Sequence, residues 1–332
     1  MQRTISKVVE FLAYWVGLDA VFYWLNRKAK RVVTFHNVIP DNILRNEDRG
    51  GICFGAKAFR EAVRIMKRHF KINVDFEDPE SLVITFDDGY ANQYEVAAEI
   101  LRQEGNLPAV IFVAGSLISS KGFENALIVD RMEQWSKGVP IDIAERVFGR
   151  KFSSRDQLWS EGVLPLFAAD RANKGAKAFQ KLHAAYSVDQ VLASRDSEFI
   201  RLRFDGITKM QIDHLRRLGW KVGYHTYSHF PLSKLSDEEA YKELVPIDNE
   251  MRNVPFAYPY GNIDFVSERD ENIVAKLDYP SGYSCDANIH PRHGKYFLRR
   301  MMPPIDKYRL NFELCGLRHF LKYRRLLPTN NE

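Results

Sequence analysis

Two adjacent carboxylates, Asp87 and Asp88, stand where an apolar run from Leu82 to Phe86 stops, and Gly89 follows them. A short apolar run bounded by turn residues reads as a buried strand. Ending such a strand on two acids is costly unless a cation waits there, because an unpaired buried carboxylate loses its hydration. Neighbouring acids also repel, which pushes their protonation apart unless a metal or an arginine separates them. Downstream, His225-Thr226-Tyr227-Ser228-His229 follows a second apolar strand, Trp220 to Tyr224. Four-residue spacing lets two imidazoles reach one ion from a helical turn or a tight post-strand loop. One acid and two histidines make a three-ligand set with a position left open, the pattern of a catalytic rather than a structural zinc-type site. One divalent metal is therefore the expected cofactor, zinc first; cobalt, nickel, manganese or iron would bind similar donors.

Further residues fit this chemistry. Thr34-Phe35-His36-Asn37-Val38 lies early in the chain, Tyr258-Pro259-Tyr260-Gly261 forms a turn, and Leu298-Arg299-Arg300 comes late. Together with Thr85-Phe86-Asp87-Asp88-Gly89 and the histidine pair, they make the chain resemble the polysaccharide deacetylases, carbohydrate esterase family four. The early histidine is similar to that of the permuted subgroup containing the biofilm poly-N-acetylglucosamine deacetylases. The resemblance implies that Asp88, His225 and His229 hold the metal, that Asp87 is the general base on water, and that His36 is the general acid for the departing amine. It also implies an oxyanion contact from a backbone N–H near Tyr260, in the Tyr260-Gly261 turn. Many members carry an arginine in the third motif that pairs with the base, whereas Ala257 occupies that position here. Arg300 matches the subgroup's late arginine and is the candidate to take over.

The elements that must position these groups follow from pattern. Val32 to Val38 reads as the first core strand. Helices are expected over residues 56 to 70, with Phe59, Val63, Met66 and Phe70 at helical spacing, over 91 to 104, and over 207 to 218. Strand–helix–strand units of these lengths imply a parallel sheet. Ser236-Asp237-Glu238-Glu239 is a capping box that starts another helix. Val254 to Tyr258 and Tyr296 to Met301 read as later strands. The expected fold is α/β: a distorted (β/α) barrel of about seven strands over residues 31–305, with a mostly helical insert over about 116–204 that lies over the surface or the site mouth.

The ends differ in character. Residues 5 to 25 are strongly apolar, including Val8, Val9, Phe11, Trp15, Val21 and Trp24, but Glu10 and Asp19 interrupt them. Mid-membrane acids are costly, by about 2.5–3.5 kcal/mol each on insertion scales, and no cleavage site follows as an exported signal would require. Residues 1–30 are thus expected to pack on the protein or lie in a membrane interface, with Arg27, Lys28, Lys30 and Arg31 as flanking cations. Residues 306–332 carry a basic amphipathic helix from about 311 to 327. The location expected is cytoplasmic, or peripheral on the cytoplasmic face of the inner membrane. A chain of 332 residues with 45% hydrophobic content can bury a sizeable core. Its net charge of +5 is not gathered into a nucleic-acid motif, and three unpaired cysteines offer no disulfide framework. His290 and His293, in a polar loop, receive no role.

The activity this implies is metal-dependent removal of acetyl groups from N-acetylated sugars of a bacterial surface polysaccharide, a glycolipid or a lipid- or nucleotide-linked precursor. Two rivals stand beside it: a metal amidase acting on a different acyl amide, and a non-catalytic glycan-binding or scaffold protein on the same fold. Phosphoester hydrolysis usually needs two metals, and the sequence offers ligands for one.

Overall fold

The apolar runs become short parallel strands whose carboxyl ends gather at one rim. The computed structural model describes residues 10–49, 52–78, 80–119, 127–170, 175–285 and 294–327. Val8, Val9, His290 and His293 lie outside them. In chain order the strands are β1 (Arg31–Phe35), β2 (Asn37–Ile39), β3 (Cys53–Gly55), β4 (Lys71–Asn73), β5 (Ser81–Phe86), β6 (Val110–Val113), β7 (Lys221–Tyr224), β8 (Phe256–Ala257) and β9 (Gly282–Tyr283). The main sheet runs β1-β5-β6-β7-β8-β9, all parallel, and β4 pairs with the first half of β5. Parallel bridges from Tyr283 to Leu298 and from Val33 to Met301 link β9 back to β1 and curl the sheet into a distorted (β/α) barrel.

Two expected strands are corrected. The first core strand does not continue from Val32 to Val38. It breaks at His36, and Asn37–Ile39 turns away to pair with β3 instead of β5, which frees the histidine backbone from the ladder. Tyr296 to Met301 is not a continuous strand either. Only Leu298 and Met301 make bridges, so the segment closes the ring with two contacts and leaves Arg300 between them to point inward.

The interior is aromatic and well buried. Phe35 packs edge-on to Phe59 with ring centroids 4.9 Å apart, and Phe86 stacks on Trp220 at 5.5 Å. Helix Ala56–His69 contributes Phe59, Ala62, Val63, Ile65 and Met66 to this core, one apolar stripe at helical spacing. Beyond β5, Gln93–Ala98 forms π-type turns that run into helix Glu99–Gln103.

The insert is helical, as its composition implies. It includes Ile128–Gly138, Ile141–Phe148, Leu164–Ala169, Ala176–Ala185 and Ser197–Phe204. Its two ends meet at a buried cluster beside the barrel rim. Asp130 accepts hydrogen bonds from Tyr90 Oη at 2.7 Å and Arg203 Nη1 at 2.7 Å. Asn92 ties the return limb to the barrel by donating to the carbonyl of Leu202 and the side chain of Asn37.

The basic tail is two helices, Lys307–Leu314 and Leu317–Tyr323, rather than one. They break at Gly316, which takes φ of 86°, a conformation that is cheap only without a Cβ. Helix Leu18–Leu25 lies against them, and Phe22 meets Phe320 edge-on at 5.2 Å.

Candidate active site

The rim is built from residues that immediately follow strands. His36 follows β1, Asp87 and Asp88 follow β5, His225 follows β7, Tyr258 to Gly261 follow β8, and Cys285 lies just past β9. In parallel barrels this is the end at which side chains from different strands converge. The turn after β5 is unusual. Asp88 takes φ of 79° and Gly89 φ of 90°. A Cβ on Gly89 would stand 2.9 Å from Cγ1 of Val113, so this glycine is required by both conformation and space. Thr226, His229 and Tyr260 also have φ near +60° (59°, 59° and 60°). A β-branched residue there is a true outlier, and backbone strain of this kind collects where surrounding structure enforces a working geometry.

That enforcement is visible around the histidine loop, which is a post-strand loop and not a helical turn. The carbonyls of Thr226 and Tyr227 accept from the N–H groups of Gly115 and Ser116 at 2.9 and 2.8 Å. Ser228 donates through its N–H (2.8 Å) and Oγ (2.6 Å) to the buried carboxylate of Glu243. Glu243 sits on helix Asp237–Leu244, which the Ser236–Glu239 capping box starts.

The loop brings three donor groups together. His229 Nε2 is 3.0 Å and His225 Nε2 3.4 Å from Asp88 Oδ1. His225 Nδ1 lies 2.7 Å from the carbonyl of Ala257. That contact fixes Nδ1 as the protonated nitrogen and turns the Nε2 lone pair toward Asp88, the outer contact that metal-bound histidines characteristically make. The Nε2 atoms of both histidines thus converge on one carboxylate oxygen across a buried gap. Asp88 Oδ1 is buried and has no hydrogen-bond partner among the described residues, which is costly unless a cation sits there. Donors about 2.0–2.1 Å from a tetrahedral zinc stand about 3.3 Å from each other, and the separations found here bracket that value. The donor set therefore fits one divalent metal. Burial would push the Asp88 carboxyl up, but the positive charge of His229 and its neighbours holds it well below the usual range. Asp88 in turn lifts His229 above its ordinary value against the opposing effect of burial.

Asp87 faces a different partner. Arg300 forks onto it, Nη1 to Oδ1 at 2.5 Å and Nη2 to Oδ2 at 2.7 Å. Both residues are 1% exposed. The guanidinium also donates to the hydroxyls of Thr34 and Thr85 (both 3.2 Å) and to the carbonyl of Ser284 (3.1 Å), and it lies over the Phe112 ring. Burial alone would raise the Asp87 carboxyl, yet the Arg300 charge overrides it and keeps the group below its ordinary value. A cation thus reaches Asp87 from the end of the ring, although Ala257 stands where the third-motif arginine was looked for. His36 Nε2 is 3.9 Å from Asp87 Oδ2. Its Nδ1 is buried without a partner among the described residues, and burial lowers its pKa from the ordinary value.

Tyr260 lies on the far side. Its ring is 5.2 Å from that of His229 and 5.0 Å from that of Phe265, and its N–H donates to none of the described residues. A Cβ on Gly261 would fall 2.5 Å from the backbone nitrogen of Cys285, so that turn can approach β9 only as glycine. The structure thus gathers Asp87, Asp88, His36, His225, His229, Arg300 and Tyr260 at one rim.

Sequence reasoning passed over several neighbours. The Cys285 Sγ is 3.2 Å from Arg300 Nη2 and 3.7 Å from Asp87 Oδ2, and burial pushes its thiol up to about 12. Thr34, Thr85 and Glu243 hold the charged groups in place. The position of Cys285, two residues past a strand end like the other rim groups, is the signal that could have found it.

No family model and no curated protein matches the sequence. Solved structures do. A polysaccharide deacetylase from Bacillus cereus superposes with a TM-score of 0.51 at 11% identity, covering 86% of this chain and 68% of that one. The deacetylase PplD of Streptococcus pyogenes, in complex with acetate, gives 0.49 at 13% identity over 85% and 96% of the two chains. IcaB from Ammonifex degensii gives 0.48 at 13% over 87% and 97%. By the first of these likenesses, the barrel shares its fold with a polysaccharide deacetylase.

Proposed function

We propose that this chain is a metal-dependent hydrolase that removes acetyl groups from N-acetylated sugars of a surface polysaccharide, a glycolipid or its lipid- or nucleotide-linked precursor. The observation that carries the reading is the buried Asp88–His225–His229 donor set, with an orphaned carboxylate oxygen, set beside an arginine-held carboxylate and a third histidine. The likeness in fold to a polysaccharide deacetylase of Bacillus cereus points the same way.

Asp88, His225 and His229 would hold a divalent ion, zinc in the first place, and the chemistry it would supply is Lewis acidity toward the carbonyl and toward water. The chain's own groups do the rest. Asp87 is ionised because Arg300 overrides its burial, so it can accept a proton from water. Arg300 keeps both carboxylate oxygens in one plane and orients the base. His36, at the rim 3.9 Å from Asp87, is placed to pass a proton to the departing amine, since an amine is a poor leaving group until protonated. The N–H of Tyr260, which donates to none of the described residues, is available to the oxyanion that develops as the carbonyl is attacked. Glu243 fixes the loop that carries both histidines. The insert shapes the mouth: Asp130 and Glu133 lie close enough that their negative charge adds to burial in raising the Tyr260 hydroxyl.

The test is metal content per chain for wild type and His225→Ala, purified without added metal, followed by acetate release from N-acetylhexosamine oligomers. About one ion in wild type and almost none in the variant is expected, with acetate released only by wild type. A wild-type protein that takes up no metal even when zinc is offered overturns the hydrolase reading and favours a glycan-binding role. Release of an acid other than acetate identifies the other acyl amide.

A further inference from the structure

The first described helices are amphipathic the wrong way round for a protein surrounded by water. In helix Leu18–Leu25 the inward face carries Asp19 and Tyr23 beside Phe22. Tyr23 donates to Asn311 at 3.2 Å, and Asn26, one residue past the helix, donates to the carbonyl of Cys315 at 2.9 Å. The outward face carries Leu18, Val21, Trp24 and Leu25. The turn before it repeats the pattern. Glu10 and Ala13 are buried while Phe11, Leu12, Trp15 and Val16 are exposed, with Trp15 66% and Trp24 63% open. Every exposed residue between 11 and 28 is apolar, glycine or basic. A contiguous apolar surface of this extent marks an interaction site.

Cations ring it. Arg27 and Lys28 follow directly and are exposed, and the Arg27 guanidinium lies 4.8 Å from the centre of the Trp24 ring. The C-terminal helices sit alongside, joined by Asn26, by the Leu327 N–H that bonds it (2.8 Å) and by Arg31, which donates to the carbonyl of Leu314 at 3.0 Å. They add exposed Arg318, Leu321, Lys322, Arg324, Arg325 and Leu326. The positive field there depresses the neighbouring His319, after burial, through Arg299, Arg325 and Lys322. No described helix is long and apolar enough to cross a membrane, and Glu10 and Asp19 are turned inward.

We infer that this joint face docks peripherally on an anionic lipid surface, the tryptophans entering the headgroup region and the cations meeting phosphate. Tryptophan and arginine side by side suit that boundary. A second copy of the chain fits worse, because pairing the two faces would bring Arg27, Lys28, Arg324 and Arg325 against their own duplicates. The inference goes beyond the proposed chemistry: it concerns a surface that includes none of the rim residues.

The experiment is co-sedimentation of the full chain with vesicles of phosphatidylcholine alone and of equal parts phosphatidylcholine and phosphatidylglycerol, at low and high salt. Wild type should partition onto the anionic vesicles and be released by salt. The Trp15→Ser/Trp24→Ser variant should bind at least about tenfold more weakly, since burial of apolar surface drives insertion. The Lys28→Glu/Arg324→Glu/Arg325→Glu variant should lose the preference for anionic lipid, each cation being worth about fivefold. All substituted positions are exposed, and metal content equal to wild type checks that the barrel is intact. Equal binding by all three proteins, or no binding by wild type, overturns the inference. So does a dimer that the tryptophan variant abolishes while vesicles remain unbound.

Discussion

Two buried arginine–aspartate pairs flank the turn after β5, and they are used differently. Arg300 forks onto Asp87 with both nitrogens and both oxygens. That leaves the remaining lone pairs of Asp87 facing His36 and the Cys285 thiol, groups that make weak or long contacts. Arg203 reaches Asp130 with one short bond at 2.7 Å and one long one at 3.5 Å, and the Tyr90 hydroxyl occupies the same oxygen as the short bond. The Arg203 guanidinium is also sandwiched near the rings of Tyr90 and Phe204. The first pair presents a charged carboxylate to the rim. The second neutralises its charges against each other and clamps the insert to the residue that follows Gly89. Burial sets the energetic scale of both; orientation toward the open rim separates their roles.

The largest expected effect is at Asp87. Replacing it with Asn removes the proposed proton acceptor while keeping shape, and turnover should fall by about 10²–10⁴-fold, the usual contribution of a positioned acid or base, with metal content unchanged. Steady-state acetate release together with elemental analysis checks this. An Asp87→Asn protein that keeps most of its turnover removes Asp87 from the mechanism.

Breaking either pair from the arginine side strands a buried carboxylate, so Arg300→Ala and Arg203→Ala should each cost about 3–5 kcal/mol of stability, read by denaturant unfolding. They should part company in function. Arg300→Ala should lower turnover well beyond a few-fold, because the proposed base loses its orientation and the cation that leads in opposing its burial, so its carboxyl rises. Arg203→Ala should retain about one metal per chain and lose much less turnover. Equal functional loss in the two variants would mean that Arg300 acts only as a structural tie.

How legible this was depends on the reach of each interaction. The Asp87-Asp88 strand end, the histidine pair and the parallel strand–helix rhythm were readable because each is local, a period or a spacing within a few residues. Arg300 could be proposed from its match but not placed, since its partner is 213 residues away and only ring closure brings them together. The break at His36 was missed because Val38 and Ile39 resume the apolar character of β1 after His36 and a single polar Asn37. What separates them is the competing ladder offered by Cys53–Gly55. The split of the tail at Gly316 was a local signal overridden by amphipathic continuity. The Asp130–Arg203–Tyr90 clamp joins three side chains from distant stretches, and nothing in spacing announces it.

A third charge cluster tests whether burial makes the two pairs expensive. Glu104, at the end of helix Glu99–Gln103, accepts from Arg60, Arg64 and Lys67 at 2.8–3.1 Å. Those cations are 30–59% exposed, although Glu104 itself is buried, so the contrast with the two pairs lies in the solvation of the partners. Hydrogen bonds from Arg64 and Lys67 lead in lowering its carboxyl to about 2. Because the folded value is depressed below the ordinary 4.5, its contribution to stability is complete above that pH and is lost as pH falls toward about 2. Glu104→Gln should therefore cost no more than about 1 kcal/mol near neutral pH, as partly solvated pairs do. The cost should shrink in high salt, and the acid limb of the stability profile should become shallower. Chemical denaturation from pH 7 to pH 3 reads all three. A loss at Glu104 as large as that of Arg203→Ala, and insensitive to salt, would show that partner number and not burial sets the cost, and the contrast between the rim pair and the clamp would then have to be explained by geometry alone.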